Sequence, residues 1–140
     1  MIKVFLDASV IIAGLYSQSG GSALILKLAK SGEISGITSQ AVLKEVQRNI
    51  ARKMSQKKTL YVDFINNSQV TVIDRLDDKC VARWYSVIEP KDAHVLASAT
   101  KANVDYLVTL DRRHFMLPSV QKAVPFRIVT PKELIELLTR

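Results

Sequence analysis

The run Ile2-Lys3-Val4-Phe5-Leu6 is rich in branched and aromatic residues, and it stops on an acid, Asp7. Such a run suits a strand buried on both faces of a parallel sheet. Residues 8–16 read as a helix that starts at once. Asp7 is then delivered to the strand's C-terminal end, where open α/β sheets place their active sites.

The alternation repeats along the chain. The turn-forming segment 17–21 is followed by Ser22 as the expected N-cap of a second helix over 23–31, which Gly32 ends. Residues 34–38 read as a second strand. A long helix is expected from Ser39 to about Lys57, with an apolar stripe at Leu43, Val46, Ile50 and Met54. An amphipathic stretch over 59–66 comes next, then a third strand over 70–73 and a helix over 77–88 containing Cys80, Trp84 and Tyr85. Pro90 opens a helix through about Ala102, as proline does in first turns. A fourth strand over 106–110 ends at Asp111, a fifth covers 127–129, and Pro131 starts a final helix. Strands alternating with helices predict α/β architecture: three layers, α/β/α, around a central parallel sheet of about five strands.

The chain of 140 residues reads as one domain, 1–140, and at 48% hydrophobic but only 6% aromatic its core is expected to be aliphatic. No apolar run approaches the roughly 18–20 residues that span a membrane. The N-terminal residues lack the basic-then-apolar pattern of a signal peptide. With Cys80 the single cysteine, no internal disulfide can form, and a reducing cytoplasm is the expected setting. The net charge of +7 favours a polyanionic partner, of which nucleic acid is the common one.

Four acids stand out, each with an ordinary explanation. Asp7 could cap the following helix, and Asp111 could simply form a turn. Glu45 lies at the margin of the long helix's apolar stripe and could pair with Arg48 at i+3. Asp92 is in a first helical turn, where the helix dipole favours an acid. Yet Val95, Leu96 and Ala99 share its face, and a carboxylate over a core-facing stripe normally needs a cation or donors. Taken jointly, the acids change meaning. Strand C-termini and the starts of the following helices share one sheet edge, so Asp7, Asp92 and Asp111 should meet there with Glu45 reaching over. Like charges so close call for a cation, and oxygen ligands alone suit Mg²⁺ or Mn²⁺. Such ions activate water and stabilise phosphodiester transition states. The chain carries no lipase-type Gly-x-Ser-x-Gly, no His-Glu-x-x-His and no phosphate loop.

These residues resemble a PIN domain, the metal-dependent ribonuclease fold shared by many VapC-type toxins. The matching pieces are Phe5-Leu6-Asp7-Ala8-Ser9-Val10, the helical Glu45, the segment 91–99 around Asp92, and the segment 105–115 around Asp111. The resemblance implies an acidic cleft holding one or two Mg²⁺ or Mn²⁺ ions. It implies Asp7, Glu45 and Asp92 as the principal catalytic and metal-binding acids, and Asp111 in a fourth, more variable position. Ser9 and Thr109 match polar positions that support the cleft. The chain departs from the pattern at Lys91, where relatives often carry a second acid; Glu89 stands two residues earlier.

An RNA partner has candidate contacts. Lys44, Arg48 and Arg52 recur at i+4 on the helix bearing Glu45, with Lys53, Lys57 and Lys58 beyond, and Arg112-Arg113 follows Asp111. An ordinary solvated face is the alternative. His94 is expected to pack or hydrogen-bond near the site and His114 to touch RNA, neither as catalytic base. Leu134, Ile135, Leu137 and Leu138 form an apolar face suited to core packing, although the resemblance suggests homodimers.

The expected activity is metal-dependent endoribonuclease, most simply the toxin of a type II toxin–antitoxin pair with a cognate antitoxin. A housekeeping or non-catalytic RNA-binding PIN module is the alternative. A haloacid dehalogenase-type phosphatase fits less well, because Ser9 stands where that family needs a second Asp.

Overall fold

In the computed structural model, which describes residues 1–53 and 55–140, the short branched runs become five strands. They are β1 (Lys3–Leu6), β2 (Ser35–Ser39), β3 (Thr71–Ile73), β4 (Tyr106–Val108) and β5 (Arg127–Val129). They form one sheet in the order β3-β2-β1-β4-β5, and every pairing is parallel. The chain lays β1, β2 and β3 outward in one direction, then returns to place β4 on the other side of β1. The sheet therefore has its topological switch point between β1 and β4, where ligands bind in open α/β sheets.

Burial falls from the centre outward. Val4, Phe5, Leu6, Leu107 and Val108 are fully buried, whereas Thr71 and Val72 on the edge strand are exposed. Helix α1 (Ala8–Tyr16) packs on α2 (Gly21–Lys30) and α3 (Gln40–Lys53), and α2 packs on α9 (Pro131–Leu138). α4 (Lys58–Asn67) lies against α3. On the return path, α5 (Asp78–Ala82) packs on α6 (Pro90–Lys101). Right-handed crossovers put helices laid in opposite directions on opposite faces, which gives the three expected layers. Two short helices, α7 (Arg112–Phe115) and α8 (Pro118–Ala123), join β4 to β5. Among the described residues no single helix is long and apolar enough to cross a membrane.

Gly14 lies where α1 approaches α2: an added Cβ would press on the Leu26 side chain and come within 3.3 Å of Ser22 O. α9 carries a complete capping box, with Glu133 N donating to Thr130 Oγ1 and Thr130 N to Glu133 Oε1. Leu134 is buried beneath it and Ile135, Leu137 and Leu138 pack partly buried against the core.

Several boundaries differ from expectation. α2 begins at Gly21, and Ser22 is a buried residue inside it rather than its cap. Ser39 ends β2, and its hydroxyl accepts from Val42 N at 3.1 Å, so α3 starts one residue later. α3 stops at Lys53, followed by a 3₁₀ turn at Ser55–Lys57. Its buried stripe is Val42, Val46 and Ile50, with Leu43 only half-buried; Met54 lies outside the described residues. The helix expected over 77–88 is α5 alone. Trp84 N, Tyr85 N and Val87 N then bond to carbonyls three residues back, a chain of tight turns in place of a helix. Trp84 is half-buried against the core, while Tyr85 is exposed. β4 ends at Val108, two residues earlier than expected, although Thr109 N still donates to Val129 O. α8 was not expected at all; Pro118 starts it, in the position proline favours.

Truncating a fully buried central-strand side chain removes its transfer energy and leaves a cavity. Leu107→Ala is therefore expected to destabilise by about 2–5 kcal/mol in urea unfolding. Val72→Ala, on the 42% exposed edge position, should cost under about 0.5 kcal/mol.

Candidate active site

The switch point delivers Asp7 from β1 and Thr109 from β4 onto the same edge. Asp7 occupies the N-cap position of α1 but makes no side-chain cap hydrogen bond. Its Oδ2 instead accepts from Thr109 Oγ1 at 2.6 Å and from Ser9 Oγ at 2.9 Å. Thr109 and Ser9 are themselves tied to the loop after β4: Asp111 N donates to Thr109 Oγ1 at 3.1 Å, and Leu110 N to Ser9 Oγ at 3.0 Å. Asp7 is thus fixed across the strands and is not spent as a helix cap.

Asp111 is the opposite case. It caps α7, accepting from His114 N at 3.0 Å, and its Oδ2 lies 2.8 Å from His114 Nδ1. His114 Nε2 in turn lies 3.7 Å from Glu89 Oε1, and Glu89 Oε2 lies 3.8 Å from Lys91 Nζ. His114 is thus engaged by two acids. Its sequence signal was the Asp-x-x-His spacing at a helix start, a capping arrangement with a ring nitrogen added.

Asp92 comes from the first turn of α6. Its Oδ2 is buried and has no hydrogen-bond partner. Asp92, Asp111 and His114 each offer a ligand atom, all within 4.8 Å of one another. Glu45 stands on exposed α3 surface and reaches the group through its charge, and no salt bridge joins it to Arg48 among the described residues. Asp7 and Glu45 lie outside the tightest group, yet each feels the other acids electrostatically.

The charges reflect this crowding. Burial raises the Asp7 pKa, against the opposing effect of its Thr109 and Ser9 hydrogen bonds, and the nearby Asp111 charge adds to the rise. Glu45 is raised by desolvation and then by Asp7 and Asp92. Asp92 is raised by burial, with Lys91 and His114 pulling the other way. Asp111 alone is lowered: burial would raise it, but the side-chain and backbone hydrogen bonds from His114 outweigh that. Burial lowers the pKa of His94, whose Nδ1 is buried without a partner.

The donor set suits a hard divalent cation. It is mostly carboxylate oxygen, three of its acids resist ionising beside one another, and one oxygen is orphaned inside it. Asp7, Glu45, Asp92 and Asp111 are the residues that could hold such an ion.

The polar surroundings are uneven. Lys44 and Arg48 line one open groove together with Glu45, Lys91 and His94. Arg52, Arg112 and Arg113 are exposed but line neither this groove nor the cavity around His114, and Arg112 is close enough to Glu133 to lower its pKa.

Residues 3–113 match the family model described as PIN domain. The chain belongs to the PIN domain family. No match to curated proteins is found, but solved structures share the fold of this PIN domain. VapBC2 from Rickettsia felis, bound to a promoter DNA fragment, matches with a TM-score of 0.65 at 18% identity, covering 92% of this chain and 98% of that one. DNA-bound VapBC from Salmonella typhimurium gives 0.64 at 19%, covering 94% and 99%. VapC20 from Mycobacterium tuberculosis, a sarcin-ricin-loop-cleaving toxin, gives 0.60 at 17%, covering 79% and 91%.

An acid whose folded-state pKa is raised binds protons more tightly in the native state than in the unfolded one. It therefore costs stability above its folded pKa, and that cost is relieved as pH falls through the raised value toward the ordinary carboxylate value of 3.8 for Asp7. Asp7→Asn removes this cost while keeping an acceptor for Thr109. In metal-free buffer at pH 7 it should raise stability, and with it the Tm. The gain should shrink toward pH 4, as differential scanning calorimetry across pH would register.

Proposed function

We propose that this PIN domain, acting as a single unit over 1–140, is a divalent-metal-dependent endoribonuclease and the toxin of a toxin–antitoxin pair. The observation that carries the reading is Asp92 Oδ2, a buried carboxylate oxygen without a partner, beside Asp111 and within the electrostatic reach of Asp7 and Glu45. Burying such an oxygen unpaired is costly unless a cation completes it. Mg²⁺ or Mn²⁺ held by Asp7, Glu45, Asp92 and Asp111 would supply a water of lowered pKa and offset charge on a phosphodiester transition state.

The chain's own residues do the rest. Ser9 and Thr109 orient the Asp7 carboxylate through its Oδ2. His114 fixes Asp111 from two sides. Lys91 places a positive charge that favours ionised Asp92, Asp111 and Glu45. Lys44 and Arg48 line the groove beside Glu45 and are suited to phosphates of the bound strand. Arg52, Arg112 and Arg113 would act at longer range, as part of the basic surface. RNA as substrate follows from that charge and from the cleaving activity named for VapC20. A cognate antitoxin follows from the VapBC complexes among the structural relatives. Homodimer formation and a cytoplasmic setting belong to the same proposal.

Purified protein should cleave a short RNA with Mn²⁺ and stop when EDTA is added. Asp92→Asn should slow the cleavage by about 10²-fold or more with its circular dichroism unchanged. Equal cleavage by that variant, or metal-independent cleavage, would rule the assignment out. The toxin reading has its own check: expression should arrest growth, and co-expression of the protein encoded beside it should restore growth.

A further inference from the structure

A cavity of about 420 Å³ lies between α5, the tight turns that follow it and the C-terminal half of α6. Arg83, Trp84, Thr100 and Lys101 are on its walls, with Cys80 beside them. It is remote from the acids. Thr100 follows Asp92 by two turns of α6, about 12 Å along the helix axis. The volume falls within the roughly 300–1,000 Å³ of small-molecule sites.

Every charged residue on these walls is a cation, and no Asp or Glu lines the cavity. Arg83 and Lys101 make no salt bridge among the described residues. Two unpaired cations without a facing acid favour a ligand of more than one negative charge, and a guanidinium fork matches phosphate oxygens. Trp84 adds a large ring that packs partly buried against the core, so a flat base can stack on it at little entropic cost. Thr100 Oγ1 is buried with no hydrogen-bond partner among the described residues, a demand that protein interiors rarely leave unmet. Bare phosphate would use the cations and leave the ring idle. An uncharged apolar ligand would do the reverse. A nucleoside monophosphate uses both.

We propose that this cavity is a binding site for a nucleoside monophosphate, separate from the acid cluster. Arg83 and Lys101 hold the phosphate, and the base stacks on Trp84. None of these residues belongs to the candidate catalytic centre, so the site stands independently of the ribonuclease reading.

Trp84 is the single tryptophan of the chain and Cys80 its single cysteine, so each reports on this cavity alone. The test uses the full chain in buffer with EDTA, which keeps metal ions from holding phosphate at the acids. AMP, adenosine, inorganic phosphate and a short RNA are the probes. AMP should quench Trp84 emission to saturation and slow alkylation of the partly exposed Cys80 by iodoacetamide. Adenosine and inorganic phosphate should each bind at least about ten-fold more weakly than AMP. In calorimetric titration Arg83→Ala and Lys101→Ala should each weaken AMP binding about ten-fold. Lys122→Ala, which removes an exposed cation from α8, should stay within about two-fold of the parent. No saturable response to AMP would overturn the proposal. So would equal binding of inorganic phosphate, which marks a bare anion site, or of adenosine, which marks an apolar one. Unchanged AMP affinity in Arg83→Ala and Lys101→Ala, or an equal loss in Lys122→Ala, would sink it as well. If the RNA alone protected Cys80, the cavity would belong to the path of a longer strand and the proposal would fall. None of these outcomes touches the ribonuclease reading, which is decided by cleavage with Mn²⁺.

Discussion

Crowding of carboxylates at the β1–β4 switch point is the constraint on which the rest of the site depends. Asp7, Glu45 and Asp92 each meet surroundings that disfavour their charge, and they meet one another there. A fold tolerates such a cluster only if its frame resists relaxation. Here the frame is the fully buried segment Val4–Leu6 paired to Leu107 and Val108, with Thr109 pinned to β5 through its backbone N–H. The close-packed aliphatic core holds the acids together against their repulsion.

The same frame explains why hydroxyls rather than cations neighbour Asp7. Thr109 is wholly buried, and its hydroxyl is shared among Asp7 Oδ2, Asp111 N and the more distant Ser9 Oγ. A lysine or arginine in that place would satisfy the Asp7 charge outright and leave nothing for a ligand to complete. Neutral donors orient the carboxylate and only partly offset its burial. The residual instability is what a bound cation would relieve, the usual exchange of stability for function at such sites.

Much of this was legible in the sequence because it rests on periodicity and on topology. The branched runs fixed the strands, and the rule that strand ends and helix starts share an edge gathered Asp7, Asp92 and Asp111 without any coordinate. What escaped was local. Ser22 looks like a cap but lies inside α2, since Gly20 already supplies the extended entry residue. The segment 83–88 has helical composition, yet Trp84, Tyr85 and Val87 close hydrogen bonds three residues back and only Ile88 reaches four, and no periodicity separates those two outcomes. The His114 ring was legible only as a basic residue, because its pairing with Glu89 joins segments far apart in sequence.

That pairing divides the site into unlike halves. Asp111 is favoured as an anion chiefly by His114, with Lys91 adding to it, whereas Asp7, Glu45 and Asp92 are held above their ordinary pKa. Lys91, which stands where related chains often place another acid, lowers three of the four acids and is itself drawn toward Glu89. A fixed ammonium in that place removes one negative charge from the set and adds a positive one. The remaining deficit lies at the Asp7–Asp92 side, where the orphaned Oδ2 is found. On charge grounds it is there, away from the Lys91 ammonium and the His114-held Asp111, that a positive charge would relieve the crowding most.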